Sequence, residues 1–129
     1  MLKTQTKGLV LVVDDVYENR VLAKAYLGKL GWQVLEASSG LGAVDLLCRV
    51  TPSHLLLDVK MPGFDGLAVA RYVRETMGDQ AMKIIGYTAH AIKDEIESIL
   101  ASGFDAVLIK PIKYADISEQ FGVGHVSFL

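Results

Sequence analysis

Short apolar runs alternate along this chain with longer stretches that have a helical period. Such alternation is typical of successive β-α units, so it predicts an α/β fold built on a parallel sheet. Most of the runs are continuously apolar, which indicates strands that helices cover on both faces. The predicted strands are Leu9–Val13, Gln33–Ala37, His54–Leu57, Lys83–Tyr87 and Ala106–Ile109. The predicted helices are Glu18–Leu30, Leu41–Val50, Leu67–Thr76, Ile92–Ser102 and Tyr114–Phe121, with Gly31, Gly78 and Gly103 at the expected C-cap positions.

The length of 129 residues fits one domain, because single domains usually hold about 100–150 residues. We therefore expect residues 1–129 to form one unit, with a core over about 9–121 and an atypical tail over 122–129. An apolar share of 51% against 22% charged residues argues against a disordered chain. The net charge is −2 and the Lys and Arg residues are scattered, so we expect no direct contact with nucleic acid.

Cysteine content and hydropathy bear on where the chain works. Cys48 is the only cysteine, which excludes an internal disulfide and favours a reducing compartment. The apolar run Leu9–Val13 is too short for a membrane span or the core of a signal peptide. The expectation is a cytoplasmic location without membrane attachment.

Polar residues follow four of the predicted strands at the point where each strand ends. Asp14 and Asp15 follow the first strand, Asp58 the third, Thr88 the fourth and Lys110 the fifth. The carboxyl ends of parallel strands share one edge of a sheet, and ligands bind in the crevice beyond that edge. The sequence therefore predicts that these side chains converge on one site.

The predicted site combines three carboxylates with a lysine and a hydroxyl group. Three neighbouring carboxylates repel one another unless a cation neutralises them, and oxygen donors of this kind suit Mg²⁺. The lysine and the hydroxyl are then available as donors to an anion. Metal, ammonium and hydroxyl together are what a transferring phosphoryl group requires.

The predicted site residues, like other polar residues of the chain, can also be explained by structural roles alone. An aspartate often caps a helix, and capping alone explains Asp65, which directly precedes Gly66 at the start of a predicted helix. Thr88 fits an ordinary strand, and Lys110 fits an exposed surface position. The three histidines lack the spacing of metal ligands. Only the complete constellation favours a functional site.

Four segments carry a family resemblance over about Leu9 to Phe121: "LVLVVDDVYENR", "LLLDVKMPGFDG", "IIGYTAHA" and "GFDAVLIKPI". The chain resembles the response-regulator receiver of two-component systems. The resemblance implies a flavodoxin-like open sheet of five parallel strands in the order 2-1-3-4-5, with helices on both faces. It also implies a cis peptide bond between Lys110 and Pro111.

The resemblance assigns roles around a phosphoacceptor. Asp58 would be the nucleophile that accepts the phosphoryl group. Asp15 would bind Mg²⁺ directly and Asp14 through water, while Asp58 and the backbone carbonyl of Lys60 would complete the protein ligands. The side chains of Thr88 and Lys110 would then donate hydrogen bonds to the phosphoryl oxygens.

The resemblance also implies a partner. Receivers meet a histidine kinase or a histidine phosphotransfer protein, and the pair Asn19-Arg20 is similar to receivers of hybrid kinases and phosphorelays. If one face of the first helix is buried, Val21 and Ala25 point outwards and, with Ile112, form a small apolar patch beside the acidic site. The residues predicted to be buried are Leu22, Tyr26 and Leu30. We expect this patch to be the docking face for the phosphohistidine donor.

Some features depart from the family or leave alternatives open. Val107 stands where receivers usually carry a Tyr or Phe that acts as a switch, and Tyr87 would supply bulk nearby. Lys60 and His90 occupy variable positions two residues beyond site residues, where they would adjust the lifetime of the phosphoryl group. The alternatives are an aspartate-nucleophile phosphohydrolase, which usually has a second Asp where this chain has Lys60, and a pseudo-receiver used for dimerisation. A receiver would catalyse only its own phosphorylation and dephosphorylation.

Overall fold

Five parallel strands form the centre of the molecule, in the predicted order β2-β1-β3-β4-β5. The computed structural model describes residues 8–89 and 92–122. The strands are β1 Leu9–Val13, β2 Gln33–Ala37, β3 His54–Asp58, β4 Lys83–Thr88 and β5 Ala106–Ile109. Three of them have the predicted bounds. Strands β3 and β4 each extend one residue further, so that Asp58 and Thr88 are the last residues of their strands rather than the first residues of loops.

Helices follow each strand and end close to the predicted positions. They are α1 Tyr17–Lys29, α2 Gly40–Leu47, α3 Gly66–Arg71 with a π-helical continuation Tyr72–Thr76, α4 Lys93–Ala101 and α5 Tyr114–Phe121. Gly31, Gly78 and Gly103 have φ values of 93°, 68° and 108°, which confirms their predicted role just after helix ends. Asp65 accepts a hydrogen bond from the Ala68 amide at 3.0 Å, so its predicted capping role is also confirmed.

The sheet has a separate apolar layer on each face, because successive residues of a strand point to opposite sides. Leu11 and Val13 of β1 lie in the layer that α2, α3 and α4 cover. Val10 and Val12 lie in the layer that α1 and α5 cover. Helices therefore occupy both faces, as predicted.

The buried face of α1 differs from the prediction by one position. Ala23 and Leu27 are fully buried, whereas Leu22, Tyr26 and Leu30 are half-buried at the margin of the same apolar layer. The small side chain of Ala23 lets the helix lie close to the sheet. The larger residues therefore flank the contact instead of forming its centre.

The strand register brings the polar strand ends together. Val13 pairs with Ala37 on one side and with Leu57 on the other, so the next residues of β1 and β3 are adjacent. Asp58 pairs with Tyr87, and Thr88 pairs with Ile109. The Lys110–Pro111 peptide bond is cis, as predicted.

Three predictions remain, on the tail, on His90 and on membrane attachment. Apart from Gly122, the predicted tail lies outside the described residues, and so does His90. None of the helices within residues 8–89 and 92–122 has both the length and the apolar character needed to cross a bilayer.

Candidate functional site

The carboxyl edge of the sheet collects the predicted site residues. Asp14 is fully buried just beyond β1, and Asp58 and Thr88 are almost completely buried at the ends of β3 and β4. Lys110 follows β5, and its amide donates to the Thr88 carbonyl at 2.8 Å. Asp15 remains exposed at the rim. The structure thus brings the five predicted side chains to one edge of the sheet.

The three carboxylates are close enough to share one cation. One carboxylate oxygen from each of Asp14, Asp15 and Asp58 lies within 4.8 Å of the others. All of these donors are oxygens, and one of the three residues faces solvent, so water molecules have access to complete a coordination shell. This donor set fits Mg²⁺, which prefers a few carboxylates together with several waters.

Lys110 lies between the two buried carboxylates. Its Nζ atom is 3.2 Å from Asp58 Oδ2 and 3.5 Å from Asp14 Oδ2. Burial, and then the charge of Asp14, raise the pKa of Asp58 to about 6, against the opposing effect of Lys110. The Lys110 ammonium group therefore only partly compensates for the repulsion between the carboxylates. An additional cation would stabilise the site.

The Asp14 carboxylate is held by donors from the loop after β1 and from strand β4. Its Oδ1 accepts a hydrogen bond from the Val16 amide at 2.8 Å, and its Oδ2 accepts one from the Tyr87 hydroxyl at 2.6 Å. The Arg20 guanidinium donates to the Asp14 backbone carbonyl at 2.8 Å and is also paired with Glu36 at 3.2 Å. These contacts fix both the side chain and the main chain of Asp14.

The backbone around Asp58 also contributes to holding this residue in place. The Lys60 amide donates to Asp58 Oδ1 at 3.2 Å, and the Gly66 amide donates to the Val59 carbonyl at 3.2 Å. A side chain at Gly66 would collide with the carbonyl oxygen of Asp58, so glycine is required for α3 to begin this close to Asp58. The oxygen Oδ2 that faces Lys110 is then the one directed into the site.

An ion pair connects the loop between β3 and α3 with α4. Lys60 Nζ lies 3.0 Å from Glu95 Oε2, and about half of the Lys60 side chain is exposed. The other carboxylate oxygen of Glu95 is buried and has no hydrogen-bond partner among the described residues. The sequence motifs point to Lys60 but not to Glu95, because the two residues are 35 positions apart.

Comparison with known proteins establishes to which family the chain belongs. The sequence profile of the response regulator receiver domain matches residues 10–121. The chain belongs to this family. The recognised resemblance is therefore confirmed, and the match covers all five strands apart from Leu9.

Individual relatives place the receiver among signalling proteins. It is 33% identical over 115 residues to the sensor histidine kinase RcsC of Salmonella typhi, covering 89% of the receiver but only 12% of that protein. It is 32% identical over 110 residues to the sporulation initiation phosphotransferase F of Bacillus subtilis, covering 85% and 87% of the two chains. A solved receiver domain of a Pseudomonas aeruginosa sensor histidine kinase, with magnesium coordinated in its active site cleft, is 29% identical. It has a TM-score of 0.80 and covers 88% of the receiver and 93% of that chain.

The predicted docking face of the receiver is only partly present. Val21 and Ala25 are exposed on α1, as expected. Ile112 is 5% exposed and packs in the apolar layer with Ile117 and Phe121, so its predicted place on the patch is wrong. An apolar surface groove nevertheless lies along α1, lined by Tyr17, Glu18, Val21, Leu22 and Ala25.

The aromatic positions of the receiver also depart from the simplest expectation. Val107 is half-buried against the layer beneath α2, α3 and α4. Tyr87 lies in the opposite layer, fully buried, and its hydroxyl bonds Asp14. The expectation that Tyr87 supplies only bulk therefore missed its polar contact with the site.

Proposed function

We propose that the receiver accepts a phosphoryl group from a phosphohistidine donor on Asp58 and thereby changes its binding to a partner. The observation that carries this proposal is the Lys110 ammonium group, 3.2 Å from Asp58 Oδ2, beside three clustered carboxylates. An aspartate that only forms a turn does not require an ammonium group at this distance. A nucleophile that must approach a phosphoryl group does need one.

The transfer is a displacement at phosphorus. A carboxylate oxygen of Asp58 attacks the phosphorus atom, and the bond between phosphorus and the donor imidazole nitrogen breaks, with its electron pair remaining on the nitrogen. The product is an acyl phosphate. Lys110 and Thr88 would donate to the phosphoryl oxygens, where charge is spread during the transfer.

The acidic cluster would hold Mg²⁺. Asp15, Asp58 and the backbone carbonyl of Lys60 would bind it directly, and the buried Asp14 would bind through water. When bound, Mg²⁺ supplies positive charge against the phosphoryl oxygens. The magnesium ion in the cleft of the related Pseudomonas receiver supports the same role here.

The donor is proposed to be a histidine kinase or a histidine phosphotransfer protein. Support comes from the relatives, which are a sensor histidine kinase and a phosphotransferase. The groove along α1 offers apolar surface next to the site. A helical donor placed there would present its phosphohistidine in line with Asp58.

The two alternative functions have less support. A phosphohydrolase needs groups that act on a separate substrate, and Lys60 occupies the position where a second aspartate is usual. A pseudo-receiver would have lost part of the site, yet the acidic pair and Asp58 have carboxylate oxygens within 4.8 Å of one another, and Lys110 is paired with Asp58. We therefore propose that the domain acts only on its own phosphorylation state.

The first prediction tests the proposed function. Incubation with acetyl phosphate and MgCl₂ should add one phosphoryl group per chain, measured by intact mass. Excess EDTA should reduce this labelling to background, because the carboxylates then repel the incoming dianion. Re-addition of MgCl₂ should restore it. Undiminished labelling in EDTA would contradict the metal requirement.

The second prediction concerns the lifetime of the acyl phosphate. Replacing Lys60 with Ala should speed loss of the phosphoryl group several-fold, because we expect the Lys60–Glu95 ion pair to flank the path of the attacking water and to restrict its access. The rate of labelling by acetyl phosphate should change little, since the Lys60 side chain does not contact Asp58. The measurement is the decay of phosphorylated protein after the donor is removed.

A matched variant separates this pair from surface charge in general. Arg49→Ala removes an exposed cation from another ion pair, 2.8 Å from Asp45 on α2, and should leave the decay rate unchanged. Exposed pairs of this kind contribute little to stability, so neither variant should unfold the domain. Equal decay rates for Lys60→Ala and the wild type would contradict the assigned role.

A further inference from the structure

Tyr87 contacts both the predicted metal-binding part of the site and its predicted phosphoryl-binding part. Its ring is fully buried among the residues beneath α1 and α5. Its hydroxyl donates to Asp14 Oδ2 at 2.6 Å, and Lys110 Nζ lies 4.8 Å from the centre of its ring. One side chain therefore contacts a predicted metal-site carboxylate and the predicted phosphoryl-binding lysine.

We propose that Tyr87 is a positioning residue, which holds Asp14 ready for the metal and keeps Lys110 directed at Asp58. This inference rests on the proposed function, because it assigns a role within the same site. Tyr87 would touch neither the metal nor the phosphoryl group. It acts through the two charged residues that it contacts.

The argument depends on how Asp14 Oδ2 is shared. Tyr87 lies 2.6 Å from this oxygen and Lys110 lies 3.5 Å from it, so the hydroxyl is the closer donor. Lys110 is correspondingly nearer to Asp58, at 3.2 Å. The neutral hydroxyl satisfies a buried carboxylate oxygen without cancelling its charge, which leaves Asp14 attractive to a divalent cation.

Loss of the hydroxyl changes this distribution. Asp14 is fully buried, so an oxygen without a donor is costly, and Lys110 is the nearest cation that can replace the hydroxyl. The ammonium would then move towards Asp14 and away from Asp58. A cation bound directly to Asp14 competes with Mg²⁺, and its departure from Asp58 weakens the anion site.

The ring makes a separate contribution that the experiment must hold constant. An ammonium group within about 6 Å of an aromatic ring centre is attracted to the ring face. Tyr87→Phe keeps the ring and removes only the hydroxyl, so any change reports on the hydrogen bond to Asp14.

The test is calorimetric titration of the purified receiver with MgCl₂. Tyr87→Phe should weaken Mg²⁺ binding on the order of tenfold, the usual effect of removing an outer hydrogen-bond partner of a metal site. Tyr26→Phe is the matched control, because Tyr26 packs against Tyr114 on the surface between α1 and α5 and should bind Mg²⁺ as the wild type does. Unchanged affinity in folded Tyr87→Phe would overturn the inference.

A double-mutant cycle tests the route through Lys110. In a Lys110→Met background, no ammonium remains to replace the hydroxyl at Asp14. The added loss of Mg²⁺ affinity from Tyr87→Phe should therefore be clearly smaller than in the wild-type background. An equal loss in both backgrounds would overturn the proposed competition.

The wild-type protein provides a test that needs no variant. With ¹³C-labelled tyrosine rings, MgCl₂ titration should shift the Tyr87 resonance with the calorimetric affinity, while the Tyr26 resonance stays in place. A Tyr87 resonance that does not shift at saturating MgCl₂ would also overturn the inference. If the wild type neither binds Mg²⁺ nor acquires a phosphoryl group, the proposed function fails instead.

Discussion

Asp58→Asn should abolish phosphorylation of the receiver by acetyl phosphate, down to the level of a sample without donor. The amide keeps the shape of the side chain and its place beside Lys110, but it removes the negative oxygen that attacks phosphorus. The reaction depends on that nucleophile, so partial loss is not expected. Intact mass after incubation with donor and MgCl₂ gives the measurement, and proteolytic mapping of wild-type protein should place the label on the peptide containing Asp58.

A matched Asp→Asn exchange controls for effects on folding. Asp65 lies in the same loop region and caps α3 by accepting from the Ala68 amide at 3.0 Å. Asparagine caps helices about as well as aspartate, so Asp65→Asn should fold and label normally. A label that persists in Asp58→Asn, or that maps to Asp14 or Asp15, would show that the acceptor is assigned to the wrong carboxylate.

Much of the fold and the position of the site follow from local patterns. Most of the strands are continuous apolar runs, and polar residues stand at the carboxyl end of four of them or directly after it. Because parallel strands share one carboxyl edge, the pattern predicts that Asp14, Asp58, Thr88 and Lys110 lie at the same edge, and the strand order then makes them neighbours. The family resemblance then added the strand order and the cis bond at Pro111, and both are confirmed.

Contacts between distant side chains could not be predicted in this way. The Tyr87 hydroxyl reaches Asp14 across the intervening strand β3, over 73 positions of sequence. Arg20 belongs to the first turn of α1, and its guanidinium is largely buried against the Asp14 carbonyl and Glu36. Such contacts depend on register, rotamer and the tilt of α1, none of which a periodic pattern encodes.

Ile112 lies in the predicted region of the molecule but does not have the predicted exposure. The sequence placed it near α1, and it does share the apolar layer with Ala23 and Leu27 of that helix. The chain after Pro111, however, turns Ile112 inwards, where it is 5% exposed. An aspartate at this position would bury a charge and unfold the domain, so Ile112 is unsuitable for testing a docking face.

Val21 provides the usable test, because it lines the groove along α1 and is 46% exposed. Val21→Asp should keep the fold, since its carboxylate remains in water. It should nevertheless abolish transfer from a phosphorylated histidine kinase or phosphotransfer protein, because a donor helix seated in the groove would have to desolvate the new charge. Labelling by acetyl phosphate needs no docking and should be nearly unchanged.

The same experiment needs an exposed apolar residue elsewhere as control. Leu41 is 67% exposed on α2, which lies on the opposite face of the sheet from α1. Leu41→Asp should preserve both transfer from the protein donor and labelling by acetyl phosphate. Separate loss of transfer in Val21→Asp would place affinity in the groove and chemistry in the acidic site. Equal loss of both reactions in a folded Val21→Asp protein would remove the groove from the proposed docking face, because the substitution would then be acting on the site itself.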